Sequence, residues 1–406
     1  MKVLVSHADK QHVNALLIGL LKYDVLNRFY TSFAANKLPP QYFSQKFYQK
    51  LQKRFYKEIE PHKIAHFPLV FLLTKLIKSE YWSVKGAYYW YDKWVSKCLK
   101  SENFDILIGY ENCNLFSFTT AKKRGKTTVL DMASVHHSYQ NPVLTAVGTY
   151  SPSYNIDYIS IQKEKAYKVT DYIFAISTFS EHTLIQGGFS ANRIYKTYLG
   201  VNHNVFKPKK NYNDLVLNTP LRLYFVGTMS KRKAIPFLLS VFETLHNSGL
   251  NIELDLIGPI DDYDATQINI PNCHYTPFLH QDELVKKHHT LDVFVFPSHI
   301  DSWAQVVIEA MACGSPVLVS DNTGAKDAVQ QGGGCVLPVD NKEAWVEAIT
   351  RMYLDRQLLK KLGEQAAFVA QQYTWEAYHQ QVLAALMDIE AREKKSNNIK
   401  LADAVH

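Results

Sequence analysis

The chain has 406 residues, too many for one ordinary hydrophobic core, so we expect two domains. Its residues are 47% apolar and 20% charged, which is typical of a soluble globular protein. The formal net charge of +7 is modest and does not by itself indicate nucleic-acid binding. No run reaches the roughly 18 apolar residues that a membrane-spanning helix needs, so we expect no such helix.

The first half of the chain alternates predicted strands and helices. Because parallel strands joined by helices need cover on both faces, this alternation predicts a parallel sheet between two helical layers. Its predicted strands are Lys2–Ser6, Asp105–Gly109, Thr127–Asp131 and Asp171–Ile176, and its predicted helices are about Gln11–Leu21, long helices within 40–100, and 157–170.

A second alternation follows a loop-like segment at 202–213. We therefore predict an α/β fold of two Rossmann-like domains, 1–205 and 218–374, that face each other across a cleft. A last helix at 375–394 is expected to cross back to the first domain, and 395–406 reads as a loose tail. The predicted elements of the second domain are strands Leu221–Val226, Ile252–Ile257, Val293–Phe296 and Val317–Ser320, with helices Ala234–Asn247, Gln281–His289 and one around Glu309.

The segment from Lys46 to Lys100 is both basic and aromatic. It carries twelve lysines and arginines against four acidic residues, with aromatic residues throughout. Three interpretations stay open: solvated helices with an aromatic core face, docking on an anionic membrane surface, and nucleic-acid binding. The last is the least favoured, because no recognised nucleic-acid module accompanies the segment.

Cysteine usage and the start of the chain bear on localisation. The five cysteines are an odd number without CxxC spacing, so we expect reduced thiols in a cytoplasmic protein and no structural zinc. The apolar run that follows Met1 is too short for a secretory signal. We therefore predict a cytoplasmic protein that either stays in solution or binds peripherally to the inner face of the membrane.

Two carboxylates stand out around the helix that follows the strand Val293–Phe296. Asp301 is expected at the carboxyl edge of the sheet, where open α/β sheets bind ligands, and Glu309 lies inside the next helix. If the eight intervening steps were helical, the two would be about 12 Å apart. A glycosidase pair needs about 5 to 9.5 Å, so the spacing better suits the two ends of an extended ligand. The alternative is a plain helix cap and a chance polar residue.

A basic loop lies between the strand that ends at Gly227 and the next helix. It contains Lys231, Arg232 and Lys233. Such a loop could bind an anionic group, although a surface basic turn is the alternative.

These motifs together resemble the retaining glycosyltransferases of group 1, also called GT4. The family's Glu-Ala-Met-Ala-x-Gly-x-Pro-Val is matched from Glu309 to Val317. Lys233 falls on the phosphate lysine of the family's Gly-Arg-Leu-x-x-x-Lys-Gly, whereas Thr228 replaces its arginine. The segment 200–208 resembles the family's Gly-Val-Asp-x-x-x-Phe-x-Pro, with Asn202 in place of aspartate.

The resemblance implies a GT-B fold and retaining, metal-independent transfer from a UDP- or GDP-linked sugar, with no cofactor. It implies that Glu309 holds the ribose, that Asp301 holds the transferred sugar, and that Lys233, supported by Arg232, neutralises the diphosphate. Lys233→Ala should then reduce turnover much more than folding stability. The remaining donor-binding residues implied are Gly227, Thr228, Ser302, Trp303, Ala304 and Gln305.

First-domain site residues are less sharply indicated. His136 matches the family histidine that lies against the donor sugar, with His137 as an alternative and a structural histidine as the plain interpretation. Glu111 is a candidate on the acceptor side, and a sugar or lipid-linked acceptor in cell-surface polysaccharide or glycolipid assembly is expected. The loop 7–13 lacks the glycines of most relatives, so no acceptor identity is carried over.

Two other functions remain open. One is a related GT-B enzyme, such as an epimerase or a phosphorylase, and the other is a catalytically weak nucleotide-sugar-binding protein. The Asp262-Tyr-Asp264 motif has the form used by metal-dependent glycosyltransferases of another fold, but we interpret it as a solvated turn. No cluster of His, Cys and Asp suggests a metal, and nucleic acid is not an expected partner.

Overall fold

A computed structural model describes residues 1–9, 12–37, 54–76, 83–150, 154–210, 212, 219–264 and 268–403. The strands in these ranges are β1 Val3–His7, β2 Leu26–Thr31, β3 Ile64–His66, β4 Ile106–Tyr110, β5 Thr127–Met132, β6 Tyr172–Ala175, β7 Ile194–Lys196, β8 Leu221–Val226, β9 Ile252–Ile257, β10 Cys273–Thr276, β11 Val293–Phe296, β12 Val317–Ser320 and β13 Gly334–Leu337. The α-helices are α1 Val13–Lys22, α2 Pro68–Leu76, α3 Tyr89–Cys98, α4 Leu115–Lys123, α5 His137–Ala146, α6 Tyr154–Tyr167, α7 Thr178–Gln186, α8 Ile235–Asn247, α9 Gln281–Thr290, α10 Gln305–Ala312, α11 Lys326–Val329, α12 Lys342–Leu354, α13 Arg356–Ala370 and α14 Trp375–Asp403.

The first sheet has the strand order β3-β2-β1-β4-β5-β6-β7, and all its pairs are parallel. Strands β1, β4 and β5 are buried along their whole length, as expected for a sheet covered on both faces. The sequence did not predict β2, β3 and β7, because β2 mixes polar and apolar residues and the other two have only three residues each.

The second sheet repeats the arrangement, with the order β10-β9-β8-β11-β12-β13 and parallel pairing throughout. The sequence missed its two edge strands, β10 and β13, because neither has a continuous apolar run that is fully buried. The chain thus has the predicted α/β architecture of two Rossmann-like sheets. In the second sheet the order reverses between β8 and β11, so their carboxyl ends form the crevice in which open α/β sheets bind ligands.

Helix α14 returns to the first domain and packs against α1. Lys22 Nζ lies 2.6 Å from Glu376 Oε2, and the close approach of the two helices leaves no room for a Cβ at Gly19, which would lie 2.7 Å from the His379 ring. The helix continues to Asp403, so the predicted tail at 395–406 is wrong over 395–403. No glycine or proline interrupts 375–403, and nothing local ends the helix; residues 404–406 lie outside the described residues.

The basic–aromatic segment is only partly described, since 38–53 and 77–82 lie outside the described residues. Where it is described, it is not purely helical, because β3 lies in its middle and pairs with β2. None of the helices in the described ranges is long and apolar enough to cross a membrane.

Candidate active site

The loops that follow β8 and β11 meet through an ion pair. Lys233 Nζ contacts Asp301 Oδ2, and Arg232 Nη1 lies 3.8 Å from the same oxygen. Both partners of the contact are largely buried, with side chains 10% and 16% exposed. Burial alone would raise the pKa of Asp301, but the charge of Lys233 and its hydrogen bond hold that pKa below its usual value. Asp301 therefore presents an ionised carboxylate between two cations.

This ion pair bears on the expectation that Lys233→Ala reduces turnover much more than folding stability, because it adds a cost in stability. Removing the lysine leaves a buried carboxylate with only the more distant Arg232, and an unpaired buried charge destabilises the fold. Lys233 also lies over the Phe296 ring, 4.5 Å from its centroid. The lysine therefore stabilises the fold as well as lying in the crevice.

Helices α8 and α10 both begin after an alanine in the left-handed conformation. Ala234 has φ 56° and ψ 37°, and Ala304 has φ 62° and ψ 68°. Each alanine is the residue at which the loop after the strand ends and the helix begins. The first turn of α10 therefore presents backbone N–H groups without intrahelical partners next to Asp301.

One of the amides expected to bind a ligand is already used. Trp303 N–H donates to Asp301 Oδ1 at 3.1 Å, so only the amides after it remain for an anion. The Trp303 indole is buried against the rings of Tyr198 and Tyr373, with centroids 5.6 and 5.5 Å away. Its Nε1–H donates to Gln305 Oε1 at 3.2 Å. The Trp303 side chain is therefore part of the packing rather than of a ligand surface.

Glu309 stands in the second turn of α10 and is half-buried. No hydrogen bond or ion pair of this carboxyl occurs within the described ranges. Burial raises its pKa to about 7. A half-buried carboxylate without a protein partner is disfavoured in its charged form, so this group is suited to accept hydrogen bonds from a ligand.

The end of β8 is in tight contact with the end of β9. Gly227 has φ 147° and Gly258 φ 137°, and a Cβ on Gly258 would lie 2.1 Å from the Gly227 carbonyl oxygen. Asp262 accepts from Lys231 N–H at 2.8 Å and from Thr149 Oγ1 at 3.2 Å. Asp262 is thus exposed, but its carboxylate accepts hydrogen bonds from the basic loop and from the first domain rather than only from solvent. Thr228 follows Gly227 in this loop and is partly exposed.

The loop that contains Asp301 forms hydrogen bonds directly with the first domain. Ser302 Oγ donates to the Ala133 carbonyl at 2.9 Å, and Ser177 Oγ donates to the Ser302 carbonyl at 2.7 Å. Gln305 Nε2 donates to the Gly200 carbonyl at 2.9 Å. The side chains of Ser302 and Gln305 therefore hold the domains together in this conformation, and a ligand would meet them through their backbone.

A cavity of about 290 Å³ lies between the domains beside this loop. Ser134 and Gln140, which line it from the first domain, were not among the site residues predicted from the sequence. The signal was present, because both lie close to the strand end that carries His136. The cavity is lined by Ser134, Val135, Gln140, Arg232, Ile300, Asp301 and Ser302.

His136 does not line this cavity. Its ring packs on Gly187, where a Cβ would lie 2.6 Å away, and against Tyr167 and Phe189 in the first domain. Burial, and then the neighbouring His137, lower its pKa to about 4. The geometry therefore favours the plain structural interpretation of His136, since its ring packs against residues of the first domain.

His136, His137 and Glu164 form a group whose ligand atoms lie within 4.8 Å of one another, as a metal site would need. The group could not be read from the sequence, because Glu164 lies close to the two histidines only in the folded structure. His137 Nε2 already lies 2.8 Å from Glu164 Oε1, and none of the three lines the cavity that contains Asp301.

Glu111 lies at the end of β4, on the first-domain side. Its carboxylate accepts from Ser134 Oγ and, at 2.8 Å, from the Tyr167 hydroxyl, and Lys163 Nζ is 3.6 Å away. Burial alone would raise the pKa of Glu111, but Lys163 and these hydrogen bonds lower it. Glu111 is therefore an ionised group within one hydrogen bond of the interdomain cavity.

The second half of the chain matches a family model, and its relatives are enzymes. Residues 209–369 match the model described as glycosyl transferases group 1. The chain is 28% identical over 222 residues to the capsular polysaccharide biosynthesis glycosyltransferase CapM of Staphylococcus aureus, which covers 50% of this chain and 57% of that protein. It is 36% identical over 103 residues to a D-inositol 3-phosphate glycosyltransferase of Streptomyces bingchenggensis, covering 25% and 23%. The alignments thus span between about a quarter and a little over half of these relatives' length.

Solved structures match almost the whole chain. Sucrose-phosphate synthase from Thermosynechococcus elongatus has a TM-score of 0.69 at 16% identity and covers 97% of this chain and 100% of that one. HepE from Anabaena, in complex with UDP and glucose, has a TM-score of 0.64 at 15% identity and covers 96% and 100%. At such identities the likeness concerns the fold, which is the two-domain GT-B fold.

Proposed function

We propose that the chain transfers a sugar from a nucleotide diphosphate sugar to an acceptor hydroxyl, and the match of residues 209–369 to the model of the group 1 glycosyl transferases supports this. The observation that carries the proposal is the set of charged groups at the carboxyl edge of the second sheet. There the buried Lys233–Asp301 pair stands beside the amides of α10, and the half-buried Glu309 has a carboxyl group without a partner in the described ranges.

The donor would lie along α10 with its ribose at Glu309 and its diphosphate at the basic loop. A ribose diol offers two hydroxyl donors, which would supply the hydrogen bonds that the Glu309 carboxylate lacks. Arg232 and Lys233 would then share their charge between Asp301 and the departing diphosphate. Positive charge held in place before the reaction stabilises such a leaving group without reorganisation, and this supports transfer that needs no metal.

Transfer with retention of configuration is the finer part of the proposal. It requires the acceptor hydroxyl to approach on the face from which the diphosphate leaves. Ser134 of the first domain and Arg232 of the second domain both line the interdomain cavity. Hydrogen bonds across the cleft, such as Ser302 Oγ to the Ala133 carbonyl, would exclude water from that space and limit hydrolysis of the donor.

We further propose a role in cell-surface polysaccharide or glycolipid assembly at the inner membrane face. The name of CapM supports the first part. The exposed Leu69, Leu72 and Trp90, which are 58%, 58% and 59% exposed, support contact with lipid. Lys93 lies nearby on α3 and would face anionic headgroups. Flotation with anionic and with neutral vesicles tests this, because equal lack of binding to both would refute it.

The test of the activity is incubation with a panel of UDP- and GDP-linked sugars while nucleotide diphosphate release is followed. We expect release of the nucleotide diphosphate with at least one donor, both with and without a chelator. NMR of the product should show that the transferred sugar keeps the anomeric configuration that it had in the donor. Glu309→Gln should weaken nucleotide binding, whereas Glu243→Gln on the exposed face of α8 should not. Tight binding of a nucleotide sugar without any release would instead indicate a nucleotide-sugar-binding protein.

A further inference from the structure

A second cavity, of about 160 Å³, opens at the carboxyl ends of β1, β4 and β5. This is the crevice position of the first sheet, where its strand order reverses between β1 and β4. The cavity has room for a single sugar ring. Its polar and aromatic lining includes His7, Asp9, Tyr110, Glu111, Asp131 and Ser134.

Three carboxylates line this cavity, and each has a basic side chain as a partner outside the lining. Asp9 Oδ1 lies 2.7 Å from Arg54 Nη2, and Asp131 Oδ2 lies 2.9 Å from His12 Nε2. The third carboxylate, Glu111, is 3.6 Å from Lys163. Neither Arg54, Lys163 nor any other lysine or arginine in the described ranges lines the cavity itself. An occupant of the cavity would therefore meet hydrogen-bond acceptors with negative charge.

Buried polar atoms on residues of the lining include His7 Nε2, the Tyr110 hydroxyl and Asp131 Oδ1. The Tyr110 hydroxyl and the Asp131 carboxylate interact with each other, whereas His7 Nε2 has no hydrogen-bond partner in the described ranges. His7 Nδ1 accepts from the Asp9 amide at 2.8 Å, so the neutral ring carries its proton on Nε2. Burial lowers the pKa of His7 to about 3, which keeps the ring neutral. His7 therefore contributes a neutral N–H donor without a partner in the described ranges beside the carboxylates of the lining, and the oxygen of a sugar hydroxyl could accept from it.

Ser134 connects this cavity to the one that contains Asp301. Ser134 lines both cavities, and its hydroxyl donates to Glu111 Oε2. A hydroxyl of a ring bound in the first-domain cavity would therefore reach the donor side past Ser134.

We propose that this first-domain cavity binds the acceptor as an uncharged sugar ring and discriminates against rings that carry a phosphate or carboxylate. The inference rests on the proposed function and specifies the acceptor class. Sugar hydroxyls donate to Asp9, Glu111 and Asp131, whereas an anionic substituent meets like charge with no cation in the described lining to receive it. We expect at least a tenfold preference, which corresponds to about 1.4 kcal/mol.

The test measures acceptor binding to the full chain in the presence of UDP but without a sugar donor. Calorimetry with methyl hexopyranosides and with the matching hexose 6-phosphates gives the dissociation constants. At least one uncharged ring should bind, and each binder should bind at least tenfold more tightly than its phosphate. Binding of the phosphates as tightly as the uncharged rings, or binding of neither class, would overturn the proposal.

Two substitutions locate the effect. Asp9→Asn should narrow the preference severalfold, and its side chain is 58% exposed, so the fold should tolerate it. Asp24→Asn removes the same charge at the exposed turn before β2, on the opposite edge of the sheet, and should change nothing. An equal effect of both variants would mean that only overall charge matters and would refute the cavity. If no donor releases nucleotide while uncharged rings still bind, the glycosyltransferase proposal fails and the cavity assignment stands.

Discussion

Glu309→Gln should stabilise the ligand-free protein at high pH and weaken nucleotide binding. Burial raises the pKa of Glu309 from 4.5 to about 7 in the folded state. The difference of about 2.5 units at about 1.36 kcal/mol each gives about 3 kcal/mol. A carboxyl whose pKa is raised by folding contributes its stability below pH 4.5 and loses it as the pH rises through 7. The wild type should therefore lose up to about 3 kcal/mol relative to the glutamine variant across this range.

Nucleotide binding should change in the opposite direction. A carboxylate can accept a hydrogen bond from each hydroxyl of the ribose diol. Glutamine keeps one acceptor oxygen but has an NH2 donor in place of the other, so it can accept from only one of the two hydroxyls with its oxygen. Losing a hydrogen bond to a charged group costs about 1.5 to 3 kcal/mol, so UDP should bind at least about tenfold more weakly. A gain in stability together with a loss of affinity is the pattern of a residue kept for binding.

The assay is urea unfolding from pH 4.5 to 8, followed in parallel by tryptophan fluorescence and circular dichroism, with UDP affinity from calorimetry. Glu243→Gln is the matched control, and its stability relative to the wild type should stay level across the pH range. A glutamine variant at 309 that is less stable than the wild type at pH 8 would show that the carboxylate has a partner in the protein. Unchanged UDP affinity would remove Glu309 from the ribose site.

Three further substitutions test the geometry of the crevice, each by its urea midpoint. Lys233→Met should cost about 3 kcal/mol, and adding Asp301→Asn should recover most of it; additive losses would contradict the buried pair. Ala304→Gly should gain about 0.5 kcal/mol, because relief of the left-handed alanine exceeds the added chain entropy, and a loss would assign its methyl group to packing. Gly258→Ala should cost about 3 kcal/mol or more, whereas Gly249→Ala, with φ 83° and open space around it, should cost about 1 kcal/mol; equal losses would refute the clash.

The alternation of strands and helices was readable from the sequence because buried parallel strands are continuous apolar runs. Strand Val293–Phe296 and the helix around Glu309 are examples, and both lie where they were predicted. Short or partly polar strands such as β2 and β10 were missed, since their place in the sheet depends on neighbouring strands rather than on their own pattern.

The sequence by itself determined which charged groups stand at the edge of the second sheet, because Lys233, Asp301 and Glu309 each follow a strong strand signal at close range. Only the tertiary structure decided what these groups meet. It joined Lys233 to Asp301 across 68 residues, left Glu309 without a partner in the described ranges, and turned His136 into the first domain while Ser134 faced the cleft. The physical reason is that backbone patterns are local, whereas the partner of a buried polar group depends on how distant segments pack.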